Sequence, residues 1–269
     1  MTLTLHDKTD RLRSLISDAG SAAIAFSGGT DSSFLLHFAS GISTLKLLAV
    51  TVSTPYMFEF EITEAKEFCI NYGIDHRVVK MEFPDSIKGN PPERCYLCKK
   101  EVMKVIRLEA EQAGMKFIFD GTNTDDISDY RPGMKALREA GIRSPLVEVG
   151  LTKEEIRALA VKAGLKAGNK PSNTCLLTRF PHDTMITPGD LRRAENAEIF
   201  LSSIGFEGSR VRVHGEVARI ECRNEQFVAL TAAETREKII SALKNFGYKY
   251  ITVDLEGYRS GSMNKTTEK

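Results

Sequence analysis

The hexapeptide Ser27-Gly28-Gly29-Thr30-Asp31-Ser32 constrains this chain more than any other stretch. An apolar run of small residues, Ala22-Ala23-Ile24-Ala25-Phe26, precedes it and reads as a short buried strand. Ser33-Phe34-Leu35-Leu36-His37-Phe38-Ala39 follows it and reads as the opening of a helix. A strand, a glycine turn and a helix start make an anion site for two reasons. The first helical N–H groups lack partners within the helix, and the helix dipole adds partial positive charge there. Adjacent glycines let backbone N–H groups approach a phosphate with no Cβ in the way. The plainer alternative is an ordinary turn between strand and helix. Two other phosphate motifs do not apply. No lysine follows the second glycine, so this is not a Walker loop, and the spacing departs from the dinucleotide fingerprint.

The rest of the chain arranges itself around that turn. Leu5, Leu12, Leu15 and Ile16 fall at helical spacing and predict a leading helix over 5–19, ended by Gly20. The run 45–52 predicts the next strand, 59–71 a helix, and 76–80 a third strand. Pro84, Gly89, Pro91 and Pro92 break the pattern before a long helix over about 93–113. Phe117 to Asp120 reads as a fourth strand, and Pro145 to Val149 as a fifth. Strands alternating with helices predict an α/β fold, a parallel sheet with helices on both faces. Ligands of such sheets sit beyond the carboxyl ends of the strands. Residues 27–32 lie there, as does a second polar turn, Gly121-Thr122-Asn123-Thr124-Asp125-Asp126. Thr152 and Glu155 form a capping box for a helix to Ala163.

The pattern changes after residue 185. A helix over 188–203, a hairpin from Arg210–Val213 and Val217–Cys222, a helix capped at Thr231 and a last strand over 250–254 read as a small α+β module. Two domains are therefore expected, 1–185 and 186–269, with a frayed polar tail from 263.

Composition narrows the function classes. A chain of 269 residues with 42% hydrophobic residues supports a real core. The net charge of +1 gives no global basic field for nucleic acid. No apolar run approaches a bilayer span, and the charged first residues lack a signal core, so a cytoplasmic location and no membrane partner are expected. Five cysteines are an odd number and a poor disulfide framework, which turns the question to metal binding or catalysis.

Cys95 and Cys98 form a Cys-x-x-Cys pair at a helix start, and Cys175 sits on a loop four residues before Arg179. A structural zinc site wants four ligands, and only three candidates are present. A dithiol at a helix start is the second possibility. Three thiolates holding an iron–sulfur cluster with one open iron is the third. Incidental thiols is the plainest. Cys69 and Cys222 fall at apolar-periodic positions and read as core.

Several motifs together carry a family resemblance. They are residues 27–32, Asn90-Pro-Pro-Glu-Arg-Cys-Tyr-Leu-Cys-Lys-Lys100, Asp120 to Asp126, Asp129-Tyr-Arg-Pro-Gly133, Cys175, and Asp254-Leu-Glu-Gly-Tyr-Arg-Ser-Gly-Ser-Met-Asn264. The hexapeptide resembles the pyrophosphate loop of the ATP pyrophosphatase (PP-loop) superfamily. The whole set, over about 10–264, is similar to the LarE family of ATP-dependent sulfur transferases, which build a nickel-pincer nucleotide cofactor for lactate racemase. The resemblance implies a PP-loop, Rossmann-like α/β domain. It also implies ATP, Mg²⁺ and a pyridinium-3,5-biscarboxylic acid mononucleotide substrate, whose carboxylate is adenylylated and then converted to a thiocarboxylate.

The resemblance also implies residue roles. Ser27, Gly28, Gly29, Asp31 and Ser32 would meet the pyrophosphate, with Asp31 as a Mg²⁺ ligand. Thr51 to Ser53 would meet the adenine, and Gly121, Asn123 and Asp126 the nucleotide or metal. Arg179 would pair with a substrate phosphate or carboxylate beside the sulfur donor, and Arg210 and Arg212 would hold the substrate phosphate. Glu198 and Glu221 are weaker candidates for metal or acid–base work. The plainer readings are surface arginines, solvated turns and a helix-start charge. The family has two sulfur sources. One is a lone cysteine at the position of Cys175 that gives up its own sulfur; the other is a [4Fe-4S] cluster on three cysteines. Cys95, Cys98 and Cys175 together match the second, with the sacrificial route as alternative. A homo-oligomer is expected by the same resemblance. A different PP-loop enzyme, such as a tRNA thiolase or an amide synthase, and a non-catalytic nucleotide sensor are the competing functions.

Overall fold

The computed structural model describes residues 3–128, 132–169 and 174–259. It divides into two compact units, Met1–Pro84 with Glu93–Asn173, and Asp85–Pro92 with Thr174–Lys269.

In the first unit, α1 (Leu5–Ala19) starts from a capping box in which Thr4 and Asp7 satisfy each other's backbone N–H groups. Four strands follow the expected places: β1 (Ser21–Ala25), β2 (Lys46–Ser53), β3 (His76–Lys80) and β4 (Phe117–Phe119). They pair in parallel in the order β3-β2-β1-β4. In the register, Ile24 lies between Ala49 and Phe119. The parallel order is possible because a helix crosses between successive strands: α2 (Thr30–Ser40) after β1 and α3 (Glu59–Asn71) after β2. A single turn, α4 (Asp85–Lys88), belongs to the other unit, and α5 (Arg94–Gln112) then leads into β4.

Both faces of the sheet are covered. Leu12, Ile16, Leu35, Leu36, Ala65 and Ile156 bury one face against Ala22, Ile24 and Ala49. Met103, Ile106, Ala110 and Leu137 bury the other against Ala23, Leu48, Val50 and Val52. Each fully buried large apolar side chain contributes about 1.5–3 kcal/mol. β1 and β2 read as nearly continuous apolar runs because neither face meets water.

After β4 come α6 (Asp125–Ser128), α7 (Pro132–Glu139), α8 (Pro145–Glu148) and α9 (Lys153–Lys162). The expected fifth strand over 145–149 is instead the single turn α8. Pro145 occupies the first helical position after Ser144 and has no N–H to give to a ladder. Strand-like pairing stops two residues earlier, at an isolated bridge from Phe119 to Arg143. The capping box of α9 is present, with Glu155 Oε2 accepting Thr152 N at 2.9 Å.

In the second unit, α10 (Pro188–Ser203) is followed by β5 (Arg210–His214) and β6 (Val217–Glu221) as an antiparallel hairpin. α11 (Phe227–Thr231) and α12 (Ala233–Asn245) return the chain to β7 (Tyr250–Val253), parallel to β6. Thr231 does not cap the last helix. It ends α11, bonding back to Phe227 O at 2.9 Å, and Ala232 stands at the cap of α12. The segment around α4 joins this unit through Ile186 N to Lys88 O, 2.9 Å, and Asp183 N to Asn90 O, 3.1 Å. Among the described residues, no helix is long and apolar enough to cross a membrane. Asp129 to Arg131 and Ser260 to Asn264, named in the motifs above, lie outside the described residues.

Candidate functional site

The glycine turn sits at the carboxyl end of β1. Gly28 takes φ +74°, a conformation that glycine enters freely, and a Cβ there would meet Glu61 O at 3.6 Å. Gly29 is the cap of α2, and no side chain closes that helix start. α1, α9 and α10 all begin with capping boxes. The first N–H groups of α2 thus carry no side-chain cap, an arrangement that suits an anion. Ser27 and Ser32 brace the turn across its neck, Oγ to Oγ at 3.1 Å, and Ser32 Oγ also bonds Gly29 O at 3.2 Å. Thr30 points the other way and ties the helix start to Ala167 O at 2.7 Å.

The second polar turn meets the first. A Cβ on Gly121 would fall 2.7 Å from Ser32 N and 2.9 Å from Ser32 Cα, so only glycine fits against the start of α2. Asn123 Nδ2 donates to Asp31 Oδ2 at 3.2 Å. Asn123 Oδ1 accepts from Asp125 N and Asp126 N, while Asp126 Oδ2 accepts from Asn123 N at 3.1 Å. Asp120 anchors the turn from below through Thr122 and through Ser144 Oγ at 2.6 Å. The structure therefore brings Ser27, Gly28, Gly29, Asp31, Ser32, Gly121, Asn123 and Asp126 to one place. Asp31 Oδ1 is buried with no hydrogen-bond partner. Burial raises the Asp31 carboxyl above its ordinary range, against the pull of Lys153, and the charge of Asp126 raises it further. An orphaned carboxylate oxygen held beside other acidic oxygens suits a hard cation, so these residues fit a magnesium nucleotide.

Thr51 and Ser53 end β2 beside this turn. The Thr51 hydroxyl is used inside the sheet, donating to Phe26 O at 2.7 Å and lying 2.8 Å from His76 Nε2.

Cys95 and Cys98 fall on the first turns of α5, as the spacing suggested. Cys95 is exposed, whereas Cys98 is partly buried with its Sγ 3.1 Å from Tyr56 Oη. Burial pushes the Cys98 thiol up, and the Tyr56 hydroxyl works against that shift. Cys175 precedes a four-residue 3₁₀ turn, Leu176–Arg179, in the second unit. Among the described residues, no group of three or more His, Cys, Asp or Glu side chains is arranged to hold a metal ion.

The second unit builds a buried cluster of charge. Arg179 is 0% exposed. Its Nε and Nη2 each bond Glu198 at 2.8 Å, and its Nη1 bonds Thr174 O at 3.0 Å and Thr178 Oγ1 at 2.8 Å. Burial disfavours this charge, but Glu198 overcomes the penalty and holds the guanidinium above its ordinary range. Glu198 Oε1 also accepts Val211 N at 2.9 Å. On β5, Arg212 pairs with Glu221 on β6 at 2.8 Å and donates to Thr178 O at 2.9 Å. Arg210 donates to Gly208 O and Ser209 O and lies over the Tyr258 ring at 5.5 Å. Burial and then the positive charge of Arg179 lower the Arg210 guanidinium. Arg179, Arg210 and Arg212, all buried, thus gather around Glu198 and Glu221.

No family model matches the chain. Whole-chain relatives do. The chain is 34% identical over 272 residues to pyridinium-3,5-bisthiocarboxylic acid mononucleotide synthase of Lactiplantibacillus plantarum, covering 99% of this chain and 97% of that one. It belongs to the LarE family. An uncharacterized protein of Synechocystis is 36% identical over 268 residues, 98% of this chain and 100% of that one. A glutamine-hydrolyzing GMP synthase polypeptide of Thermoplasma acidophilum is 29% identical over 179 residues, 60% of this chain and 58% of that one. This LarE-family chain has the PP-loop α/β fold with a parallel sheet.

Sequence reasoning did not foresee three features of this LarE-family chain. Glu198 and Glu221 serve as the buried partners of Arg179 and Arg212. Tyr56 meets Cys98 from a loop far away in sequence. Asn90 holds the segment after Cys175. Asn90 carried a signal, since it stands directly before Pro91-Pro92 inside one of the motifs above, and Glu198 a fainter one on the buried face of α10.

Proposed function

We propose that this chain is an ATP-dependent sulfur transferase that adenylylates a carboxylate of pyridinium-3,5-biscarboxylic acid mononucleotide and converts it to a thiocarboxylate. The observation that carries the reading is Asp31. It lies at an uncapped helix start with one carboxylate oxygen buried and unpartnered, and Gly121 is packed where no other residue fits. The synthase named for the bisthiocarboxylic acid mononucleotide, similar over nearly the whole chain, supports the substrate class.

In the first half-reaction a substrate carboxylate oxygen attacks the α-phosphorus of ATP, and pyrophosphate leaves. Ser27, Gly28, Gly29 and Ser32 hold the leaving pyrophosphate, with backbone N–H groups directed at developing charge. Mg²⁺ held by Asp31, with Asn123 and Asp126 behind it, would supply neutralising charge at that leaving group. The adenine meets the end of β2, where Ser53 rather than the engaged hydroxyl of Thr51 is the polar side chain. In the second half-reaction a sulfur nucleophile attacks the acyl carbon, and AMP departs with the original carboxylate oxygen. Arg210 and Arg212 hold the substrate phosphate through their guanidinium donors. Arg179, engaged by Glu198, orders the segment next to Cys175.

We assign the sulfur source to a [4Fe-4S] cluster held by Cys95, Cys98 and Cys175. The donor set suits it: two thiols three residues apart on one helix turn and a third that precedes a short 3₁₀ turn. Such a cluster supplies a sulfide nucleophile when bound. The second reading, in which Cys175 gives up its own sulfur, is favoured by the Arg179 guanidinium held next to it, with Nη1 3.3 Å from Cys175 O, since a nearby positive charge favours a thiolate.

The test is a single turnover with ATP, Mg²⁺ and the pyridinium dicarboxylate. AMP, pyrophosphate and thiocarboxylate are expected in equal amounts. Pyrophosphate release that does not depend on the pyridinium compound contradicts the reading. Intact mass of the polypeptide separates the sulfur sources: loss of H₂S at Cys175 means sacrifice, and an unchanged chain means a replenished sulfide.

A further inference from the structure

We propose that Asn90 is a positioning residue for sulfur transfer, clasping from outside the short turn that follows Cys175. The proposal rests on the reading of Cys175 as a sulfur-bearing residue.

Asn90 is completely buried and adopts φ +52°, a left-handed conformation that asparagine tolerates better than most residues. Its Nδ2 faces Leu177 O at 3.4 Å, Phe180 O at 3.1 Å and Pro181 O at 2.8 Å. Its own backbone carbonyl takes Asp183 N. Its Oδ1 is buried without a partner, so the amide is kept for its donors and at a cost.

The turn it holds has little strength of its own. Within it, Thr178 N reaches Cys175 O at 3.1 Å and Phe180 N reaches Leu177 O at 3.3 Å. Four-residue 3₁₀ turns have poor hydrogen-bond geometry and do not persist alone. Side-chain donors set its place instead. Arg179, its own last residue, donates from Nη1 to Thr174 O and Cys175 O, Arg212 Nη1 donates to Thr178 O, and Asn90 Nδ2 donates to Phe180 O and Pro181 O at the far end. Losing the far end lets the turn rotate about its near end, where the Cys175 sulfur is attached. A displacement of about 1 Å at a reacting atom is enough to cost on the order of a hundredfold in rate. Asn90 also stands five residues before Cys95, with Pro91 and Pro92 stiffening the interval. The residue that clasps the Cys175 turn therefore also leads into the helix that bears the other two thiols.

The test uses the full chain carrying Asn90→Gly, which keeps the left-handed backbone and removes the amide, and Asn90→Asp, which keeps the shape and replaces donors by an acceptor. The first readout is the alkylation rate of Cys175 by iodoacetamide in a background with Cys95→Ser and Cys98→Ser, which needs neither cluster nor turnover. The second is kcat against KM for ATP with all cysteines present. Both variants are expected to speed Cys175 alkylation by about fivefold or more and to lower kcat by about tenfold or more, with the KM for ATP unchanged. Unchanged alkylation in both variants overturns the clasp, as does an equal loss through KM alone. Cys175→Ala separates this proposal from the reading beneath it: full sulfur transfer in that variant removes Cys175 from the chemistry and overturns the catalytic part, while the alkylation rates still report on the clasp. Should Asn90→Gly fail to fold, Asn90→Asp alone decides.

Discussion

Glu198 grips Arg179 at two points, Oε1 on Nε and Oε2 on Nη2, both at 2.8 Å and both almost wholly out of water. The same guanidinium bonds the backbone carbonyls of Thr174 and Cys175, so the pair links α10 to the Cys175 segment. A buried ion pair is weak as a source of stability, but breaking it from one side is costly. Glu198→Gln removes the charge and strands the guanidinium, and should destabilise the second unit by about 3–5 kcal/mol in urea denaturation. Arg179→Met combined with Glu198→Leu should recover most of that loss while abolishing sulfur transfer.

Gly121→Ala probes the junction of the two turns. The new Cβ would press on the backbone of Ser32, which cannot step aside as a flexible side chain would. We expect about 1–3 kcal/mol of destabilisation and ATP affinity, read by calorimetry, weakened by about tenfold or more because the start of α2 is displaced. Unchanged ATP affinity would place the triphosphate elsewhere.

Asp31→Asn tests the raised carboxyl by pH. The folded state holds the Asp31 pKa above its unfolded value, chiefly by burial, so the folded protein prefers the neutral acid. The preference is fully present below the ordinary carboxylate range and is lost as pH rises through the raised folded-state pKa. At neutral pH the nucleotide-free protein therefore carries an unfavourable charge. Asp31→Asn should raise the Tm of the nucleotide-free protein at pH 7, with the gain vanishing toward pH 4, and should remove the stabilisation that Mg²⁺ and ATP together give the parent. A Tm gain that persists unchanged at low pH would contradict the account.

The cysteines should separate by reactivity. Burial pushes the Cys69 thiol up to about 12 and raises that of Cys222, and both are buried, whereas Cys95 is exposed. Native protein treated with iodoacetamide at neutral pH should label Cys95 first and Cys98 more slowly. Cys69 and Cys222 should react only after denaturation. Peptide mass mapping reads the order.

Helices and strands were legible where periodicity and punctuation agreed. Thr152 with Glu155 and Pro188 after Thr187 mark helix starts by local chemistry alone. The run at 145–149 misled because four apolar residues suit a buried strand and a helical turn equally, and Pro145 decided for the turn. Thr231 misled because a hydroxyl before Ala-Ala-Glu looks like a cap, while the preceding Phe227 to Leu230 turn had already claimed it. The glycine turns announced themselves through residue types that only a close backbone approach requires. The partners of the arginines did not. Glu198 lies nineteen residues after Arg179 and is chosen by tertiary packing, whereas Glu221, nine after Arg212, reaches it diagonally across the β5–β6 hairpin, where the exact register decides the pairing. A faint clue existed in α10, where Glu198 falls on the same buried face as Leu191, Ala194 and Leu201.

The most direct test follows the carboxylate oxygen. With both substrate carboxylates labelled with heavy oxygen, a single turnover with ATP and Mg²⁺ is analysed by mass spectrometry of the nucleotide products. Adenylylation at the glycine turn followed by attack of sulfur on the acyl carbon delivers one heavy oxygen into AMP, matched by one thiocarboxylate formed. Unlabelled AMP beside thiocarboxylate product, or label in inorganic phosphate with ADP as the nucleotide, would contradict it.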